Sequence, residues 1–158
     1  MSTPRERVRR WLASTSNRTF LLWPVILLAG ETLLRGGPPA IHIWALPVMA
    51  WGYLQYRWVG GYRSREGGGG PGISIPPDRL VTMGPYRWVR NPMYLGHLIF
   101  LAGLALALGS WAGAAIFAFH VVWFDRRVRE DEARLEALFG EPYREYRARV
   151  KRWIPGVL

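Results

Sequence analysis

With 158 residues and a formal net charge of +10, the chain is long enough for one domain or one small bundle of helices. It has no cysteine, which excludes a disulfide, a zinc–thiolate site and a cysteine nucleophile. Half of its residues are hydrophobic while its mean hydropathy is close to zero, because apolar blocks alternate with blocks dense in arginine. Of its 21 basic residues only Lys151 is a lysine. The charge borders apolar runs, so it points to anionic lipid headgroups rather than nucleic acid as the partner.

Residues 1–18 form a basic arm carrying Arg5, Arg7, Arg9, Arg10 and Arg18. Val8, Trp11 and Leu12 suit a short helix lying on a bilayer, and a disordered arm fits the same composition equally well. No cleavable leader is expected. The first apolar run, Thr19 to Leu34, is short for a bilayer that needs about 20 residues. It carries Glu31, four residues before Arg35, which reads as an interfacial ion pair. Gly36-Gly37-Pro38-Pro39 reverses the chain. The second run, Ala40 to Tyr56, is rich in aromatics, and Pro47 should kink it. Arg57 to Val89 then reads as a long polar loop, with a flexible tetraglycine at Gly67 to Gly70. Within it Ile73, Ile75, Leu80 and Val81 are apolar enough to lie on the membrane or to cover a pocket.

Gly84 to Gly96 is the densest stretch of the chain. Pro85 sets a turn after Gly84. Asn91-Pro92 reads as a helix N-cap followed by proline at the first helical position. The free N–H groups of that helix start, beside Arg87 and Arg90, suit a carboxylate or phosphate. Arginines and aromatics before an apolar helix are also ordinary interfacial anchors. Gly96 would let a ligand or a neighbouring helix come close. Met93 to Phe124 would be about 48 Å long as one helix, too long for a hydrocarbon core of about 30 Å, so a hairpin broken at Gly109-Ser110 is expected. His97 either faces the site or is satisfied between helices. Beyond Asp125 a charged helical tail carries a stripe of Leu135, Leu138 and Phe139. Gly140 should end its first helix and Glu141-Pro142 start another. Counted by segment, the arm has five basic residues, the Arg57–Arg90 loop six, the tail nine, and the turn at Arg35 one. The positive-inside rule then gives four crossings with both termini and the long loop in the cytoplasm.

Two stretches together carry a resemblance. Arg90-Asn91-Pro92, Tyr94 and Gly96, preceded by Gly84-Pro85-Tyr86, resemble the Arg-His-Pro-x-Tyr-x-Gly signature of the isoprenylcysteine carboxyl methyltransferase family and its phospholipid methyltransferase relatives. Asn91 stands where that signature has histidine. Asp131-Glu132, Leu135, Phe139, Gly140, Tyr143 and Tyr146, closed by Pro155, resemble the family's acidic-pair ending, with Asp131 for its first glutamate. The resemblance covers Leu80 to Pro155, about half the chain. It implies a single all-α, integral-membrane domain: arm 1–18, membrane helices 19–124 with a cytoplasmic loop 57–92, and a cytoplasmic helical tail 125–158.

The resemblance further implies S-adenosylmethionine as cofactor and a lipophilic acceptor from the bilayer, a lipidated substrate or small molecule reacting through carboxylate, amine or thiol. Tyr86, Trp88 and Tyr94 offer aromatic faces to a sulfonium. Arg90, or the helix start at Asn91 and Pro92, suits its carboxylate. Asp131 and Glu132 suit its ribose hydroxyls and ammonium. Gly96 and His97 complete the cofactor-side set, whereas Arg127 is expected to orient the acceptor, with Arg126 and Glu130 beside it. The bias for arginine over lysine suggests a bacterial inner membrane. Two other classes fit parts of the pattern: a nicotinamide-dependent reductase akin to membrane sterol reductases, and a non-catalytic membrane anchor.

Overall fold

The computed structural model describes residues 3–70, 72–73 and 75–156. All of its regular elements are helical. They are α1 (Pro4–Ala13), α2 (Thr15–Asn17), a π-helical turn Arg18–Leu22, α3 (Trp23–Arg35), a 3-10 turn Ile43–Ala45, α4 (Leu46–Gly67), a second 3-10 turn Gly84–Arg87, α5 (Pro92–Leu108), α6 (Trp111–Phe139) and α7 (Glu141–Arg149). Among the described residues no helix is long and apolar enough to cross a membrane by itself.

The arm is helical rather than disordered. Thr3 and Glu6 close a capping box at its start, satisfying two of the helix's orphan donors reciprocally. Its Val8, Trp11 and Leu12 remain exposed.

α4 and α5 form the central pair, and glycine allows them to touch. A Cβ at Gly52 would come within 2.7 Å of the Gly96 carbonyl, and one at Gly103 within 2.5 Å of the Met49 nitrogen. Gln55 Nε2 donates to the Pro92 carbonyl at 3.0 Å, and the His42 N–H to the Ala107 carbonyl at 2.7 Å, so both ends of the crossing are tied.

The α5–α6 hairpin breaks where the sequence predicts. Gly109 has φ +54°, the left-handed region glycine tolerates. Ser110 caps α6 by accepting from the Gly113 N–H at 2.9 Å. Its hydroxyl also donates to Glu31, which holds Arg35 at 2.8 Å. Arg35 in turn reaches the Leu108 and Gly109 carbonyls. The expected Glu31–Arg35 pair therefore latches α3 to the hairpin.

Three expectations need correction. Pro47 does not kink a helix, because α4 starts at Leu46 and places the proline in its first turn, where its missing N–H costs nothing. α4 runs on to Gly67, so the long connection begins at Gly68 rather than at Arg57. The tetraglycine is fastened by hydrogen bonds rather than a bare linker. Asp78 Oδ2 accepts from the Gly69 N–H at 2.9 Å, Ser64 donates to the Gly69 carbonyl at 3.0 Å, and the Arg79 N–H donates to the Gly67 carbonyl at 2.8 Å. The Pro71 and Ser74 positions of this loop lie outside the described residues.

The tail is continuous with the hairpin: α6 carries on through Asp125 to Phe139. Gly140 ends it and Pro142 opens α7, which folds back over the start of α5. There Val89 and Lys151 form an isolated parallel bridge, and the Arg90 N–H donates to the Lys151 carbonyl at 2.9 Å. One core cluster lies at this end, around Tyr86, Tyr94, Phe124, Val128, Tyr143 and Tyr146. The other lies at the hairpin end, around Leu27, Phe100, Leu101 and Leu104.

Candidate functional site

The two signature stretches meet at the end of the bundle where α6 and α7 close over the start of α5. The Tyr94 hydroxyl donates to Asp131 Oδ2 at 2.6 Å. The Tyr146 hydroxyl donates to the Tyr86 carbonyl at 2.7 Å. Between them lies a cavity whose walls include Tyr86, Asn91, Met93, Tyr94, Asp131 and Tyr143. Its roof comes from the loop after α4: Ile73, Leu80 and Val81 all line it. Those apolar loop residues thus cover a pocket, one of the two roles their composition allows.

Beneath the cavity sits a buried ionic cluster centred on Glu132. Its carboxylate accepts from Arg90 Nε at 2.9 Å and Nη2 at 3.3 Å, from Asn91 Nδ2 at 3.1 Å, and from Arg152 Nη2 at 2.8 Å and Nε at 3.2 Å. Its side chain is only 5% exposed and that of Arg90 9%. Burial pushes the Glu132 carboxyl upward, but the hydrogen bonds from Arg152 and Arg90 outweigh it and hold the group below its ordinary value. Arg90 spends its remaining donors on the Arg147 and Val150 carbonyls. The cluster therefore clamps α5, α6 and the chain end after α7 together. Burial also raises the Tyr86, Tyr143 and Tyr146 hydroxyls far above the ordinary phenol value, so all three stay neutral.

Of the residues singled out in the sequence, the structure brings Tyr86, Arg90, Asn91, Tyr94 and Asp131 to the cavity wall. Glu132 lies behind that wall, saturated by its arginines. Asn91 holds the N-cap position of α5 and Pro92 its first turn, as the sequence predicts, but the Asn91 side chain makes no capping bond and its amide donates to Glu132. Pro92 starts the helix as expected but faces a groove on the other side, beside Trp51 and Trp58. Gly96 faces α4, with the Gly52 carbonyl 2.9 Å from where its Cβ would be. His97 is fully buried, its Nδ1–H on the Met93 carbonyl at 2.9 Å and its ring against Phe20 and Tyr56. Arg127 stands at 3.9 Å from Asp131 with its side chain 37% exposed. Glu130 is exposed and is not on the wall.

Three basic residues of the site were missed from sequence. Arg152 joins the buried cluster, Arg134 lines the cavity rim and bonds Asp131 at 3.4 Å, and Arg63 lines the cavity from α4. A basic residue just before the closing proline was a signal for Arg152. Arg63 carried none, because it lies outside both signatures in a stretch read as loop.

Residues 70–141 match the family model described as phospholipid methyltransferase. The chain is similar to protein-S-isoprenylcysteine O-methyltransferase of Schizosaccharomyces pombe, 38% identical over 78 residues, which is 48% of this chain and 33% of that protein. Protein-S-isoprenylcysteine O-methyltransferase B of Arabidopsis thaliana is 40% identical over 81 residues, 50% of this chain and 41% of the relative. The Homo sapiens protein-S-isoprenylcysteine O-methyltransferase is 38% identical over 77 residues, 48% and 27%. Each match spans less than half of the relative's length. No solved structure matches the chain. The resemblance drawn from the two signatures is thus found independently by the family model and by these relatives.

Proposed function

We propose that the chain is a membrane-embedded, S-adenosylmethionine-dependent methyltransferase acting on a lipophilic acceptor. The observation that carries this reading is the cavity itself, where the two family signatures converge under a roof of apolar loop residues. Its donor set fits the cofactor. Asp131 is a cavity-facing carboxylate for a ribose hydroxyl or ammonium. Tyr86, Tyr94 and Tyr143 offer neutral aromatic faces that attract a cation. The cofactor supplies a methyl group on a positively charged sulfur. Such transfer needs an acceptor lone pair held about 3–3.5 Å from the methyl with water excluded. Ile73, Leu80 and Val81 exclude the water. Tyr94 fixes Asp131 by its hydrogen bond, and the Glu132 cluster fixes the arc from Arg90 to Asn91 that forms the opposite wall. Arg127, at the margin beside Asp131, orients an anionic acceptor group.

In this reading α3, α4, α5 and the apolar half of α6 cross the bilayer as a bundle, with both termini and the 68–91 connection on the cytoplasmic side. Helices shorter than the hydrocarbon core are accommodated by local thinning of the bilayer and by tryptophan and arginine anchors at their ends. The exposed apolar residues of α3 and α4, among them Val25, Ile26, Leu33, Trp51 and Leu54, then face lipid. Single cysteines in this cysteine-free chain test the arrangement. An impermeant maleimide should label Pro38→Cys in intact cells and Glu66→Cys only after lysis. Labelling of Glu66→Cys from outside would refute the topology.

Titration of the purified protein with S-adenosylhomocysteine tests the cofactor assignment. Asp131→Asn keeps the shape of the side chain and removes a charged acceptor. Bonds to charged groups contribute about 1.5–3 kcal/mol, so affinity should fall roughly tenfold to a hundredfold. Arg127→Ala should leave that affinity nearly unchanged and lower turnover. Unaltered affinity in Asp131→Asn would show that this carboxylate does not face the cofactor.

A further inference from the structure

The cavity contains one charge that the network around it does not answer. Arg63 is 8% exposed and lines the cavity wall. Its Nη2 donates to the Gly70 carbonyl at 2.9 Å and the Gly72 carbonyl at 2.5 Å. Its Nε–H is buried and has no hydrogen-bond partner. Among the described residues Arg63 forms no ion pair, whereas Arg90, Arg134 and Arg152 each hold a carboxylate. Carbonyl oxygens satisfy donors but do not neutralise a charge. A guanidinium always keeps its charge, and a buried ion without a counter-ion is strongly unfavourable. A guanidinium with no counter-ion and a donor to spare in a cavity wall matches one kind of ligand group, a carboxylate or phosphate.

We infer that Arg63 is the anchor for the cofactor's amino-acid carboxylate. The inference rests on the methyltransferase reading and extends it to a residue outside both signatures and outside the stretch matched by the family model. It takes over a task for which the resemblance offered Arg90 or the start of α5, and the Arg90 donors are engaged by Glu132 and two backbone carbonyls. It also accounts for the course of the chain after α4. Arg63 reaches back to Gly70 and Gly72, so anchoring the carboxylate and pinning the base of the cavity's roof fall to one side chain. Bringing a carboxylate to Arg63 therefore ties ligand binding to the seating of Ile73 over the cavity.

Two ligands that differ only at the amino-acid end separate this role from a structural one. S-adenosylhomocysteine carries the carboxylate, and 5'-methylthioadenosine keeps the nucleoside and sulfur without it. In calorimetric titrations Arg63→Gln should lose about tenfold to a hundredfold in affinity for S-adenosylhomocysteine and keep its affinity for methylthioadenosine. Arg63→Lys, which retains the charge without the fork, should recover part of the loss. Equal affinity of wild type and Arg63→Gln for S-adenosylhomocysteine would overturn the anchor. So would a parallel loss for both ligands, since that is the mark of a collapsed roof. If S-adenosylhomocysteine binding is intact in Arg63→Gln while affinity for vesicles of phosphatidylglycerol falls, the anion belongs to the acceptor and the assignment is wrong. Wild-type protein that binds neither nucleoside ligand would instead remove the methyltransferase reading itself.

Discussion

Glu132→Gln should be the most damaging single change at the end of the bundle where α6 and α7 close over α5, and its effect should appear in stability before catalysis. The carboxylate receives five hydrogen bonds from Arg90, Asn91 and Arg152. The neutral amide keeps the volume but leaves the buried Arg90 guanidinium without its counter-charge and takes one of two carboxylates from Arg152. Breaking a buried pair by neutralising one partner costs about 3–5 kcal/mol. The melting temperature of the solubilised protein should fall by about 10 °C. Linkage supplies a second signature. The folded-state carboxyl lies below its ordinary value of 4.5. Its contribution is thus fully present above that value and is lost as pH falls through the depressed folded one. Melting scans between pH 3 and pH 7 should show this acid slope in the wild type and a flatter one in Glu132→Gln. A wild-type melting temperature for the variant at pH 7 would contradict the clamp.

The second large effect is expected at the α4–α5 crossing. At Gly52 the α4 and α5 backbones meet, and the Gly96 carbonyl lies 2.7 Å from where a Cβ would stand. Valine there cannot be accommodated by a rotamer change, because the opposing atoms are main chain. The helices must separate, and with them the hydrogen bond from Gln55 to Pro92 that sets the start of α5. Overpacking a close contact costs about 1–3 kcal/mol and more where backbone must move, so Gly52→Val should destabilise by about 3 kcal/mol or more. Gly61→Ala on the same helix meets nothing within 4 Å, and should be neutral or gain up to about 1 kcal/mol from helix propensity. Urea or thermal unfolding of the two variants side by side checks the contrast. Equal behaviour would mean that α4 and α5 do not pack as described.

These two residues also show what a sequence reveals and what it hides. Local punctuation was legible, because it depends on neighbours in the chain. The break at Gly109-Ser110, the stop at Gly140 and the Glu31–Arg35 pair all follow from residues a turn apart. Apolar loop residues such as Ile73 and Leu80 announced a cover for something. The partners of long-range polar groups were not legible. Asn91 before a proline marks the start of α5 as expected, but nothing near it in the chain shows that its amide donates to Glu132, 41 positions away. Gly96 sits inside a signature but serves a helix crossing. Arg63 was read as loop because charge and glycine follow it, while α4 continues to Gly67 with its last turns against Val81, Arg79 and Gly84 of the returning chain. No periodicity marks an arginine that is buried without a carboxylate partner among the described residues.

The central claim is that the cavity between the two signatures delivers a methyl group to a molecule in the bilayer. The direct measurement is transfer of label from methyl-tritiated S-adenosylmethionine to the lipid-extractable fraction, by purified protein reconstituted in vesicles of native membrane lipid. Wild-type protein should label a discrete species that mass spectrometry identifies, with the signal strongly reduced in Asp131→Asn. Absence of label from every lipid and lipidated fraction, together with no binding of S-adenosylhomocysteine, would contradict it.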